Sequence, residues 1–331
     1  MNAREIVRRT IHGTLVVWAA YTLTFLLLYV LPGDPVTTML SGTGQVEATP
    51  EQVAELRAAY GLDGSLPSQY LRSLGGVLTG DLGTSYLTGE AVTTQLAQTV
   101  PGTVLLALTA LVIGVGVGVL TAVGAVYTRR PRVAGLLAAL PVLGISLPTF
   151  WVGLLLLQVF SFRLGWVPAL GGGGVTGAVL PALTLAVPVA ATVAQVLLRS
   201  LTATWRSQFI GTFRAAGFPR WRLTVTHALR ASLGPVLSVA GVLTGELLGG
   251  AVVVETVFTR NGVGRLLTTA VTSQDVPVVL GVVLFSSAVF VAVVVAADLL
   301  RPLVDARTAQ PRTAGARAPR PSAVTTGKAT A

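Results

Sequence analysis

The chain has 331 residues, 52% of them hydrophobic and only 11% charged, with a mean hydropathy of +0.75 and a net charge of +10. A soluble globule usually carries about a quarter charged residues, so this chain lacks the polar surface to coat a water-soluble particle, and a bilayer is the implied solvent. With no cysteine, disulfides, thiolate metal sites and cysteine nucleophiles are excluded, and the basic surplus lacks the interleaved aromatics and soluble fold of a nucleic-acid groove.

A bilayer core takes roughly 20 mostly apolar residues per helix. Residues 1–31 hold a basic start and a first span, Thr10–Leu31. A cleaved signal peptide is the competing reading, but the apolar run is long for one and no Ala-x-Ala site precedes Leu31-Pro32-Gly33-Asp34-Pro35. Residues 32–98 form one sizeable segment outside the membrane, with seven acids against Arg57 and Arg72. Within it, Thr49-Pro50-Glu51-Gln52 predicts a helix start, with Thr49 as N-cap and Gln52 closing a capping box; the helix runs to about Tyr60 and is capped by Gly61. Five more spans follow within residues 99–300, at Thr99–Tyr127, Gly135–Phe160, Ala178–Leu198, Ala231–Val254 and Val276–Leu300. In the first of these, Gly114 and Gly118 stand four apart, a spacing that lets a second helix approach closely. In the second, Ser146 and Pro148 mark a kink. The Gly171–Gly174 run reads as a flexible outer loop, and residues 301–331, rich in Pro, Ala, Arg and Thr, as a disordered tail.

Eighteen of the 23 Lys and Arg residues fall before the first span, between the second and third, between the fourth and fifth, and after the sixth. All of these lie on one side of a six-span chain. The excess of basic residues on the cytoplasmic side places both termini there.

Catalytic chemistry is hard to assemble. His12 and His227 lie near the cytoplasmic edge, and no span interior offers a histidine to serve Ser146 as a base. No phosphate-binding loop exists, so any ATP used is hydrolysed by another subunit. Glu246 lies well inside the fifth span with no Lys or Arg to pair with it. Two readings stand for it: a lining of a translocation route that favours cationic groups, with Ser146 and Pro148 as further candidates, or a packed, hydrogen-bonded carboxyl.

The loop 199–230 is the most informative stretch. Around Ser207–Gly217, Phe209, Phe213 and Ala216 share one helical face, while Ser207, Gly211 and Arg214 line the other. A short amphipathic helix ending at Gly217 would rest on lipid headgroups or act as a lever that docks into a partner.

Thr212-x-Arg214-Ala215-x-Gly217, followed by His227-Ala228-Leu229-Arg230, resembles the ATPase-coupling loop of dipeptide and oligopeptide ABC importer permeases. Other matches run in that family's order: Leu31–Pro35; Gly61-Leu62-Asp63; Gly80-Asp81-Leu82-Gly83-x-Ser85; Ser146-x-Pro148-x-Phe150-Trp151; Leu247–Val252 with Glu255; Gly262-x-Gly264; and Asp275-x-Pro277. Phe213, Ala216, Gly211 and Asn261 depart from it. The resemblance implies an all-α bundle of six transmembrane helices with the type-1 ABC importer permease fold and a small extracytoplasmic helical insertion. It further implies two ATPase subunits, a second permease, an extracytoplasmic solute-binding protein and membrane lipid as partners, in a prokaryotic cell membrane, with no cofactor or metal. The coupling residues it implies are Phe209, Thr212, Arg214, Ala215, Gly217, His227 and Arg230. Glu47, Glu51 and Glu55 are candidates for contact with the binding protein or the other permease. Peptides are the implied solute; nickel complexes or other small solutes are the alternative, and a self-contained secondary transporter is the competing class.

Overall fold

A computed structural model describes residues 3–30, 49–60, 62–167 and 176–304, and they form helices joined by short turns. The first long helix, α1, spans Ala3–Val30. Two shorter ones follow, α2 (Pro50–Ala59) and α3 (Leu66–Thr79). Then come α4 (Val92–Tyr127), α5 (Pro131–Ser146) and α6 (Thr149–Leu156), the last running on as a π-helical stretch to Arg163. After α7 (Thr176–Trp205) lies the short α8 (Gln208–Ala215) and a broken helical run over residues 220–238. The chain then forms α9 (Ala240–Val257), α10 (Val263–Thr272) and α11 (Val276–Val304). Glu47, the Leu31–Pro35 motif, Gly61, the Gly171–Gly174 run and the tail beyond residue 304 lie outside the described residues.

Five helices are long and apolar enough to cross a bilayer, and the pair α5–α6 makes a sixth crossing if counted as one. That pair departs from the single span expected over Gly135–Phe160: its two halves meet at 104°. The cause is local. Leu147 precedes Pro148 and takes an extended conformation (ψ 126°), the region that proline's ring imposes on its predecessor. The hydroxyl of Ser146 turns back to donate to the Val142 carbonyl at 2.8 Å. The fifth span also starts later than Ala231; residues 229–238 are short helical turns, and the continuous helix begins at Ala240.

The core is built around α7, whose Leu180, Leu185, Val189, Val193, Leu197 and Leu201 are all buried. The glycine pair of α4 makes this packing close. A Cβ on Gly114 would stand 2.6 Å from Val189 Cγ1, and one on Gly118 would stand 2.8 Å from the Ala190 carbonyl oxygen. The helices therefore meet backbone to backbone there, as the spacing predicts. The first helix lies against the last: Tyr21 and Phe25 bury themselves beside Leu280, and Arg9 Nη1 reaches within 3.3 Å of Asp298 Oδ2.

The segment before α4 has its own capping logic. Thr49 Oγ1 accepts from the Gln52 amide at 3.4 Å while Gln52 Oε1 accepts from the Thr49 amide at 3.2 Å, closing the capping box read in the sequence. Gly80 ends α3 at φ 84°, a left-handed position where a side chain would be strained.

Candidate coupling segment and buried carboxylates

The basic face of the molecule is built from the end of α4, the turn to α5, and residues 199–230. Arg129, Arg130, Arg132, Arg206, Arg214, Arg222 and Arg230 are exposed on it. One fully buried side chain anchors helix α8 there. Ile210 is fully buried among Leu201, Ala228, Val123, Val126 and Trp205, so the inward face centres on Ile210 and not on the expected trio of Phe209, Phe213 and Ala216. Ala216 is exposed and Phe209 keeps 42% of its surface exposed.

The end of α8 is a Schellman cap. Gly217 takes φ 80°, its amide donates to the Arg214 carbonyl at 3.1 Å, and the Phe218 amide donates to the Phe213 carbonyl at 3.2 Å. The apolar contact that accompanies such caps is the edge-on pairing of Phe213 and Phe218, 5.3 Å between centroids. Below them sits His227, 4.6 Å from the Phe213 ring and 5.9 Å from that of Phe218. Two guanidinium groups flank Trp205, those of Arg214 and Arg220 at 5.4 Å. Arg220 also donates to the Val126 carbonyl at 2.8 Å, tying the segment to the end of α4.

Of the sequence-predicted coupling residues, Phe209, Thr212, Arg214, Ala215 and Gly217 lie exposed along α8 and its cap, and Arg230 is exposed on a following turn. His227 is their half-buried support. Ile210 and Arg220 were missed as anchors. An aliphatic residue in mid-loop was the available signal for Ile210.

Two carboxylates away from the basic face give the scattered motifs their meaning. Glu255, fully buried, accepts from Thr103 Oγ1 at 2.6 Å, the Gly264 amide at 2.8 Å and the Arg265 amide at 3.3 Å. Gly262 and Gly264 must be glycine for this approach: a Cβ on Gly262 would collide with the Glu255 carboxyl, and one on Gly264 with the Val252 backbone. Asp275 accepts from Ser85 Oγ at 2.5 Å and from the Tyr86 amide at 3.0 Å, joining the Gly80–Ser85 motif to Asp275-x-Pro277 across the fold.

Glu246 accepts from Thr192 Oγ1 at 2.8 Å, and its other oxygen is buried without a protein partner. It borders an open strip of α9 on which Gly245 and Gly249 have no neighbour within 4 Å. Ser146 and Pro148 sit at the bend between α5 and α6, and no hydrogen bond found among the described residues joins them to Glu246. Glu51 and Glu55 are exposed on α2.

A bundle of five or six apolar helices with a basic face at one end defines a multi-pass membrane protein. Residues 114–310 match the family described as binding-protein-dependent transport system inner membrane component, and residues 2–107 match its N-terminal companion. The chain belongs to this family and is the permease subunit of an ABC importer, a class that works with a solute-binding protein and an ATPase. A protein of Brucella melitensis biotype 1 described as a peptide transport system permease is 35% identical over 93% of this chain and 99% of its own length. The glutathione transport system permease protein GsiC of Salmonella paratyphi A is 35% identical over 84% of this chain and 90% of its own. GsiC of Pectobacterium atrosepticum is 36% identical with the same coverage.

Proposed function

We propose that this permease couples to its ATPase subunits through α8 and its glycine cap, and that it imports peptides or peptide-like solutes. The observation that carries the coupling reading is the rigid mounting of α8. Ile210 is locked into the body while Thr212, Arg214, Ala215 and the Gly217 turn stay exposed. A helix resting on lipid would turn its aliphatic face to the bilayer; here the aliphatic residue points into protein.

On this reading ATP binding closes a pair of ATPase subunits, moves α8, and rocks the spans of this chain against a second permease. Hydrolysis belongs to those subunits. The basic face and both termini are cytoplasmic, in accord with the excess of basic residues on that side. The open strip of α9 beside Glu246 lines the path, with Ser146 and Pro148 at a bend that allows the adjacent helices to move. Glu47, Glu51 and Glu55 contact the loaded binding protein or the second permease. Relatives named for peptide and glutathione transport support a peptide-class solute.

The test is co-purification of the chain with a candidate cognate ATPase. Gly217→Asp and Arg214→Glu are each expected to abolish assembly while membrane insertion stays normal. Solute transport by the chain alone, with no ATPase bound, would overturn the coupling reading.

A further inference from the structure

Helix α3 belongs to the segment expected outside the membrane, yet it is docked well inside the apolar stretch of α1. That stretch, Val7–Leu28, has 22 residues. At ~1.5 Å per residue it is about 33 Å long, so a hydrocarbon core of roughly 30 Å takes up nearly all of it. Tyr21 and Thr22 precede its Leu28 end by about 10 Å along the axis. Helical side chains lean toward the N-terminus, so the two hydroxyls lie no nearer that end than their backbones do.

Both hydroxyls are bonded to α3. Thr22 Oγ1 donates to the Trp18 carbonyl at 2.8 Å. Its one proton is thereby used, so it accepts from the Tyr70 hydroxyl, also at 2.8 Å. Tyr21 and Ser73 share a 2.5 Å hydrogen bond. Serine is short, so the backbone of α3 reaches this depth and not only the tip of a long side chain. The Tyr70 ring stands edge-on to Phe25, centroids 5.2 Å apart, and Leu74 and Val77 pack on the cluster of Tyr21, Phe25 and Leu280. A cavity of about 270 Å³ remains on this packed side, between α3 and the outer ends of α1 and α11, lined by Ser73, Val77 and Leu280.

The face turned away from α1 is divided. At 3.6 residues per turn, Pro67, Leu71 and Leu78 fall in one stripe and Ser68, Arg72 and Thr79 in another, and all six are exposed. Leu71 and Leu78 leave 65% and 83% of their surface uncovered, a liability in water but not in lipid. The apolar surface also continues onto α1: Leu66 of α3 and Leu26 of α1, both exposed, line one apolar groove with Tyr70.

We propose that α3 is embedded in the membrane, with acyl chains of the leaflet at the Leu28 end of α1 covering Pro67, Leu71 and Leu78 while Ser68, Arg72 and Thr79 stay at the headgroups. The distribution of basic residues makes that leaflet the outer one. Amphipathic helices settle at this boundary of headgroups and chains, and the stem of Arg72 is long enough to carry its charge to the water side. Here the two hydrogen bonds to α1 set the depth. A soluble binding protein does not reach leucines held at that level, and a polar stripe beside them suits a headgroup boundary better than a helix contact within the chains.

The chain contains no cysteine, so single spin labels can be placed directly. Leu71→Cys, Leu78→Cys, Ser68→Cys and Thr79→Cys are each labelled in the full chain and reconstituted alone in phosphatidylcholine–phosphatidylglycerol vesicles. Relaxation is then read with oxygen, which concentrates in lipid, and with a water-soluble nickel chelate. The oxygen-to-nickel accessibility ratio should be several-fold higher at Leu71 and Leu78 than at Ser68 and Thr79. Melting equal to that of the parent chain shows each labelled variant folded; if one leucine variant fails, the other decides against the two polar sites. Equal ratios at all four sites, whether high or low, overturn the proposal. So does shielding of Leu71 and Leu78 from both relaxants, which would assign the stripe to protein. No ATPase, solute or binding protein enters the measurement, so the coupling reading can fail while this one holds, and the reverse.

Discussion

Glu255 and Asp275 show what a buried carboxylate is for in this chain. Each collects hydrogen bonds from donors that would otherwise be orphaned where a helix must stop and turn, and an unpaired buried donor costs about 1–3 kcal/mol. Glu255→Ala leaves the Gly264 amide and the Thr103 hydroxyl without their acceptor, so the detergent-solubilised protein should melt several degrees lower. Glu255→Gln keeps one acceptor oxygen and should lose less. Equal melting of the two variants would show that the carboxyl's acceptor role is not what matters. Neither role was legible from local sequence, because Glu255 and Thr103 are 152 positions apart and Asp275 and Ser85 are 190 apart. The sequence did hold the two halves of each site as separate glycine- and acid-containing motifs; nothing in it says which half meets which.

Helix α8 is stabilised less by propensity than by its mounting, as expected for eight residues, too few to be helical alone. One substitution isolates its cap. Gly217→Ala places a Cβ in the left-handed region at a cost of about 1–2 kcal/mol. It should speed amide exchange at Gly217 and Phe218, whose N–H groups make the cap, with little change elsewhere. The glycines of α4 obey a different constraint. Gly118→Val must push against the Ala190 carbonyl and the Val193 side chain, and overpacking of this kind costs about 1–3 kcal/mol. A drop in melting temperature larger than that of Gly116→Val, whose site has no neighbour within 4 Å, would locate the effect in the α4–α7 contact. The helix start at Thr49, the end at Gly217 and the Gly114–Gly118 face could all be read in advance, because caps and four-residue spacings are local. The inward direction of Ile210 could not, since the face of an amphipathic helix that turns inward depends on what lies beneath it.

At the scale of the molecule the chain is one part of a machine. Its exposed apolar sides, the open strip beside Glu246 and the basic face with its mounted helix all look outward to lipid or to partners. Reconstituted alone in liposomes, the chain should give no peptide uptake with ATP present. Uptake should appear only when ATPase, second permease and solute-binding protein are added together, and radiolabelled uptake assays check each omission. The apolar stretches, the clustering of basic residues between them and the absence of a phosphate-binding loop were determined by the sequence itself, because hydropathy, charge distribution and short motifs are properties of a chain before it folds. The sequence marked a kink at Ser146–Pro148 though not its 104° angle; the tertiary structure alone decided the pairing of Glu255 with Gly264 and of Asp275 with Ser85, and the pocket between α3 and the outer ends of α1 and α11. Each of these joins or angles elements through contacts whose energy exists only once distant parts of the chain are packed together.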